Sequence, residues 1–417
     1  MLEQFLKSRS LIDRYKSGPY SVLLDGFARD IHDSGYSTSQ GARHLRAAAH
    51  LMAWVDGQSI SGVDISQDTL ARFAGHLQEC RCAGFLGVAR DRVIRGARAF
   101  VAHQHRLRPA SAEACGSTDA HSAVWESFSQ WMRQHRGTSV RTLQDYRSYL
   151  QSFLDGLSKD LEPRQLDASR LRQFILECSR SIGLARAKAT TSALRMFIRF
   201  LIAEGKCPAG LDCAIPSLAY WRLSTLPRYL QPEEVERVIL SPDRDTPAGR
   251  RDRAILLLLG RLGLRGGDVL DLRLTDIDWH AATICVRGKN RRQSQLPLTQ
   301  EVGDALVDYL HSGRPSTDSD HVFVRSLAPF RRFRDVRAIS DVAKLAMRRA
   351  GVDFPARGAA HVLRHSLATS MLRQGASLED IAAILRHQSI ASTQIYAKVD
   401  VITLSEIAQP WPEELPC

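Results

Sequence analysis

Arg265, Lys289, His361, Arg364, His387 and Tyr396 follow one another through the C-terminal half of the 417-residue chain. Their side chains together could break a phosphodiester. Without a metal, that reaction leaves the protein to neutralise two non-bridging oxygens, activate a nucleophile and protonate a leaving alkoxide. A guanidinium is planar, always charged and able to bond two phosphate oxygens at once, so Arg265 and Arg364 suit charge that grows in the transition state. Lys289 on a turn suits the leaving group. A tyrosine hydroxyl, with a free pKa of about 10, needs a base and positive surroundings to attack, and His361 with the two arginines would provide them. This set of residue types describes an attack by Tyr396 on a DNA phosphate.

Local patterning supplies an element for each group. The apolar run from Ile255 to Leu259 leads into Leu262-Gly263-Leu264-Arg265-Gly266-Gly267-Asp268, so Arg265 is expected where one helix breaks and the next begins, with Asp268 at its start. Thr283 to Val286, a basic turn Arg287-Gly288-Lys289-Asn290, and Gln295 to Leu298 read as a β-hairpin. His361 and Arg364 are three apart on a segment with Leu367, Ala368, Met371 and Leu372 at helical spacing, and therefore share a face. Gly375 ends that helix. Ser377 caps the next, Leu378 to Arg386, with Asp380 where an acid is favoured. His387 follows at its edge, and a short helix from Ser392 to Val399 would present Tyr396 beside it.

With these motifs in order, the segment from about Leu226 to Asp400 resembles the catalytic domain of the tyrosine recombinases, the phage integrase family. The resemblance rests on Gly263-Leu264-Arg265, Gly288-Lys289, His361-Val362-Leu363-Arg364-His365, Leu385-Arg386-His387 and Thr393-Gln394-Ile395-Tyr396. Two positions depart from the family pattern. Asp268 stands where glutamate is commoner, and Arg386 replaces the usual glycine, adding a cation beside the phosphate site that would tighten DNA binding or disturb the turn. The resemblance implies a 3′-phosphotyrosyl intermediate, His361 as proton acceptor, Lys289 as general acid, His387 as a hydrogen-bond donor to phosphate, and a homotetramer on two DNA duplexes. It also implies that neither a metal nor ATP is needed, so no cofactor is expected.

Composition agrees with a polyanionic partner. The chain is 44% hydrophobic and 24% charged with a formal net charge of +12 and a pI near 9.6, which favours a polyanion; with the catalytic set, the partner expected is double-stranded DNA. Arg287, Lys289, Arg291 and Arg292 cluster on the hairpin, and Arg325, Arg331, Arg332, Arg334 and Arg337 precede the His361 helix. No run of about 18 uncharged apolar residues exists, so no membrane span is expected, and Met1 to Tyr20 lacks a secretory h-region. The eight cysteines are scattered, Cys80 and Cys82 are too close for a normal pair, and no Cys-x-x-Cys spacing suggests zinc. A reducing cytoplasm is the expected location.

The fold class expected is mainly α with a small antiparallel β-sheet: helical core-binding units plus a mixed α+β catalytic domain. Breaker-rich stretches at 107–121 and 206–225 divide the chain into an N-terminal helical domain (1–106), a four-helix core-binding domain (122–205), a catalytic domain (226–400) and a tail (401–417). In the core-binding domain Arg141, Arg147, Arg186 and Lys188 are candidate phosphate contacts. The first 106 residues read as a diverged copy of that domain. Phe27 aligns with Phe128, Leu51 and Trp54 with Leu150 and Phe153, Phe73 with Phe174, and Phe100 with Phe197. The function expected is site-specific recombination or integration, as in a mobile element. A type I topoisomerase of the same covalent chemistry and a non-catalytic DNA-binding accessory protein stand as alternatives.

Overall fold

The computed structural model describes residues 1–58, 65–82, 89–107, 120–160, 166–217, 227–288, 293–354, 358–387, 389 and 392–398. Lys289, Arg291, Arg292, residues 108–119 and 218–225 of the two linkers and the tail 401–417 lie outside the described residues. Chain contacts divide the molecule into two units, one made of 1–110 with 226–417 and the other of 111–225.

The N-terminal part of the first unit is helical. Two short helices, α1 (Leu2–Phe5) and α2 (Arg9–Ser17), precede α3 (Ser21–Asp33), α4 (Thr38–Gly57), α5 (Gln67–Glu79) and α6 (Arg90–Leu107). Ser37 and Ser66 cap α4 and α5, their hydroxyls accepting from the Gln40 and Thr69 backbone N–H groups. Leu24, Phe27, Leu45, Leu51, Phe73 and Phe100 form the core of this bundle. The second unit holds α7 (Ala120–Arg136), α8 (Val140–Asp160), α9 (Ala168–Ser181) and α10 (Leu184–Ala203), with Phe128, Leu150, Leu171, Phe197 and Leu201 at its centre.

The ring geometry of the two bundles corresponds at the aligned positions. Phe27 and Phe100 meet edge to face at 5.2 Å and 75°, and Phe128 and Phe197 at 5.2 Å and 81°. Trp54 and Phe73 are tilted at 5.5 Å and 54°, Phe153 and Phe174 at 5.0 Å and 59°.

The C-terminal part of the first unit is built around α12 (Pro247–Gly260), which follows α11 (Pro232–Leu240). Ile255 to Leu259 are wholly buried, so this helix is apolar all round at its C-terminal end and forms the axis of the core. Each such side chain removed from water contributes about 1.5–3 kcal/mol. After α13 (Gly266–Asp271) come β1 (Ile277–Asp278), β2 (Thr283–Arg287) and β3 (Gln293–Pro297), antiparallel in the order β1-β2-β3. Pairing runs from Thr283 with Pro297 to Arg287 with Gln293, the hairpin expected from sequence. The domain closes with α14 (Gln300–Asp308), α15 (Val336–Arg349), α16 (Ala359–Arg373), α17 (Leu378–Ile384) and α18 (Gln394–Ala397). The last two are shorter than expected: α17 stops before Arg386, whose backbone turns left-handed at φ 52°, and α18 spans four residues. Among the described residues no helix is long and apolar enough to cross a membrane.

Candidate active site

Arg265 is the N-cap of α13. Its backbone N–H donates to Asp268 Oδ2 at 3.0 Å, and its Nη2 donates to the Arg386 carbonyl at 3.1 Å. Asp268 Oδ2 also takes Arg386 Nη2 at 2.7 Å, a pair whose side chains are 8% and 9% exposed. The two departures from the family pattern are thus bonded to each other. They fix Arg265 from both its main chain and its guanidinium. Arg386 retains a buried Nε and Nη1 with no hydrogen-bond partner among the described residues.

The first two turns of α16 carry His361, Arg364 and His365. Arg364 is buried and donates to the carbonyls of Gly263 and Leu385. Gly263 has φ +57°, and a Cβ there would come within 2.7 Å of Leu385, so glycine is what lets its carbonyl face Arg364. Burial first, then the neighbouring Arg265 charge, brings the Arg364 pKa down to about 10, which leaves it charged at neutral pH. His361 stands at the open side of the helix, where desolvation and then the Arg364 and Arg265 charges lower its pKa.

Tyr396 is 1% exposed and packs with Ala368, Ile381 and Leu385. Its hydroxyl hydrogen-bonds His365 Nδ1 at 2.7 Å, and its ring lies parallel to that of His387 at 6.4 Å. His387 Nδ1 is 2.7 Å from Thr393 Oγ1. Burial pushes the Tyr396 pKa up to about 12, against the lowering pull of Arg364 and Arg265. Burial, then His361 and Arg364, holds His365 down at about 4. The His365 imidazole is therefore neutral where it meets the Tyr396 hydroxyl. His365 was visible in the sequence motif but carried no expected role; its spacing of four from His361, on one helix face, was the available signal.

A cleft of about 1070 Å³ is lined among others by Arg265, Asp268, Arg287, His361, Arg386 and His387. Arg287 Nη2 pairs with Asp276 at 2.9 Å at the end of β2 that leads into the turn. Of the expected set, Arg265, His361 and His387 line this cleft, whereas Arg364 is buried on the Gly263 and Leu385 carbonyls and Tyr396 is buried against His365 and His387. Arg141, Arg147, Arg186 and Lys188 belong to the other unit, exposed on α8 and α10. There Arg141 pairs with Asp145 at 3.9 Å, and the Arg147 and Arg186 guanidiniums lie over Trp125 and Tyr149 at 5.8 Å.

Residues 228–401 match the model of the phage integrase family, and 126–205 match that of the phage integrase N-terminal SAM-like domain. A putative integrase/recombinase, y4rA, of Sinorhizobium fredii is 34% identical over 416 residues, covering 99% of this chain and all of that protein. Among solved structures, XerH site-specific recombinase bound to a palindromic difH substrate has a TM-score of 0.54 at 18% identity, covering 82% of this chain and 95% of that one. A lambda integrase tetramer bound to a Holliday junction has a TM-score of 0.51 at 19% identity, covering 75% and 88%.

Proposed function

The chain belongs to the phage integrase family, the tyrosine recombinases, and we propose that it cleaves and rejoins double-stranded DNA at specific sites through a 3′-phosphotyrosyl link. The observation that supports this reading is that Arg265, His361 and His387 line one cleft, with Arg364 held on the Gly263 and Leu385 carbonyls and the Tyr396 ring parallel to that of His387. Tyr396 Oη forms a bond to phosphorus while the bond from phosphorus to the 5′-oxygen breaks. His361 takes the tyrosine proton, Lys289 gives one to the leaving 5′-oxygen, and Arg265, Arg364 and His387 hold the non-bridging oxygens. A 5′-hydroxyl from a partner duplex then reverses the step. Because Tyr396 is buried against His365 in this structure, attack requires α18 to bring the ring out toward the phosphate.

The ester energy stays in the covalent link and the guanidiniums neutralise the phosphate, so no step is routed through a metal or ATP. Asp268 supports Arg265. Arg386 offers its remaining N–H groups to a phosphate, and Arg287, Arg291 and Arg292 carry the hairpin along the backbone. Arg141, Arg147, Arg186 and Lys188 contribute further phosphate contacts from the core-binding domain, 122–205. The corresponding ring pairs of the two bundles support 1–106 as a diverged copy of that domain. Likeness to a tetrameric integrase complex supports four protomers on two duplexes. A mobile element acting in a reducing cytoplasm is the setting this chemistry and the integrase-like relative suit.

Incubation with a nicked suicide substrate should yield a denaturation-resistant protein–DNA adduct. Tyr396→Phe should bind the same DNA and form none, because only the attacking oxygen is removed. An adduct with the phenylalanine variant would assign the nucleophile elsewhere.

A further inference from the structure

No cysteine spacing in the sequence suggests zinc, yet the fold of the N-terminal bundle gathers two cysteines and two histidines. His50 lies on α4, His76 in the last turn of α5, and Cys80 and Cys82 on the chain that leaves α5. Cys80 Sγ is 3.4 Å from His50 Nε2, and Cys82 Sγ is 3.4 Å from His76 Nε2. One ligand atom from each of the four residues lies within 4.8 Å of all the others. Neither cysteine is in a disulfide.

We propose that His50, His76, Cys80 and Cys82 form a structural zinc site that ties α4, α5 and the start of the α5–α6 connection together. Zinc binds sulfur at about 2.3 Å and imidazole nitrogen at about 2.0–2.1 Å in a tetrahedron, which puts a sulfur–nitrogen edge near ~3.5 Å. Both 3.4 Å distances match such an edge. Two separate thiol–imidazole hydrogen bonds would explain each distance alone, but they do not require all four atoms to converge on one point. An S₂N₂ set in a small partly buried space favours zinc over magnesium or calcium, which prefer oxygen. Binding deprotonates the two thiols and releases two protons to solvent, with no change of oxidation state.

The surroundings orient the ligands. Trp54 stacks on His76 at 5.9 Å and 29°, and Phe73 meets the His50 ring edge-on at 5.3 Å. The need for a clamp is local. The α5–α6 connection runs over 80–89, whereas the corresponding α9–α10 connection is only Ile182 and Gly183. A longer connection costs more entropy to order. At the aligned positions the second bundle has Tyr149, Glu177, Ser181 and Gly183, which cannot make this ligand set. The site is therefore a property of the N-terminal bundle.

The full-length protein, purified under reducing conditions without chelator, should contain one zinc per chain by elemental analysis. Replacing that zinc with cobalt(II) should give the intense thiolate-to-metal and tetrahedral bands of a two-sulfur site. Cys80→Ser/Cys82→Ser should lose both the zinc and the bands while still forming the Tyr396 adduct, which also reports that its catalytic domain has folded. Stripping the metal from wild type should lower the melting transition of the bundle, and added zinc should restore it. The proposal fails if wild-type protein neither carries zinc nor develops the cobalt bands. It fails equally if the double variant keeps stoichiometric zinc, since the metal would then sit elsewhere.

Discussion

Arg386 occupies a backbone conformation that costs a non-glycine residue about 1–3 kcal/mol, and its side chain explains why it is retained. It neutralises Asp268 in a nearly buried pair, and leaving one member of such a pair stranded costs about 3–5 kcal/mol. The second term is the larger. Arg386→Gly, although it restores the family residue and relieves the left-handed turn, should lower unfolding stability by roughly 1–3 kcal/mol in denaturant titrations. Equal or greater stability would mean that the Asp268 pair contributes little. The sequence exposed both departures but not their pairing, because 118 residues separate them. A second expectation concerns pH. His365 is held neutral down to about 4, so between about 4 and its ordinary value near 6.5 the unfolded chain binds the extra proton. Stability therefore falls as pH drops through that window, by up to about 3 kcal/mol from this group. His365→Gln should flatten the fall, measured as the difference in unfolding free energy between about pH 7 and about pH 4.5; an unchanged slope would assign the acid sensitivity to other histidines.

The elements of the catalytic domain were legible where a period or a cap marks them. The β2–β3 hairpin, the α16 face that carries His361 and Arg364, and the Ser377 cap with Asp380 all follow from local pattern. Helix ends near the nucleophile were not, since the stop after Ile384 is set by tertiary bonds to the Leu385 and Arg386 carbonyls from Arg364 and Arg265. Those bonds require the chain to turn where its own propensity would continue. Where β2 leads into the turn, Arg287 is held by Asp276 and pairs with Gln293. If Lys289 is the proposed general acid, it supplies about 10²–10⁴ in rate. Lys289→Ala should slow adduct formation by that factor, and a substrate with a 5′-thio leaving group, which needs no proton, should recover it. Absence of recovery would make Lys289 a phosphate contact and leave the acid unassigned.

At the scale of the molecule, two bundles with corresponding ring pairs are separated in function by where the reactive residues lie, all of which are C-terminal to both. The N-terminal bundle nonetheless shares a unit with the catalytic domain: a Cβ on Gly35 would come within 2.3 Å of the Phe330 ring, and Phe27, Tyr36 and Arg106 line a small pocket with Arg331. Composition alone could not assign this bundle a partner, because its basic residues are interleaved with Asp25, Asp30, Asp33 and Asp56, and several of these are already paired within it, as Asp25 is with Arg29 and Asp30 with Arg106. If the bundle still touches DNA, it neutralises further phosphates without adding to the chemistry. A chain without residues 1–108 should then form the Tyr396 adduct on a short suicide substrate. Its binding should be weaker, and the slope of log affinity against log salt should be less steep by about 0.9 for each phosphate that the bundle had neutralised. An unchanged slope and footprint would remove the bundle from the DNA and leave assembly between protomers as its role. A folded fragment that forms no adduct would instead mean that packing against the 329–331 segment is needed to shape the cleft, since the next residue, Arg332, reaches Asp271 at the cleft's edge.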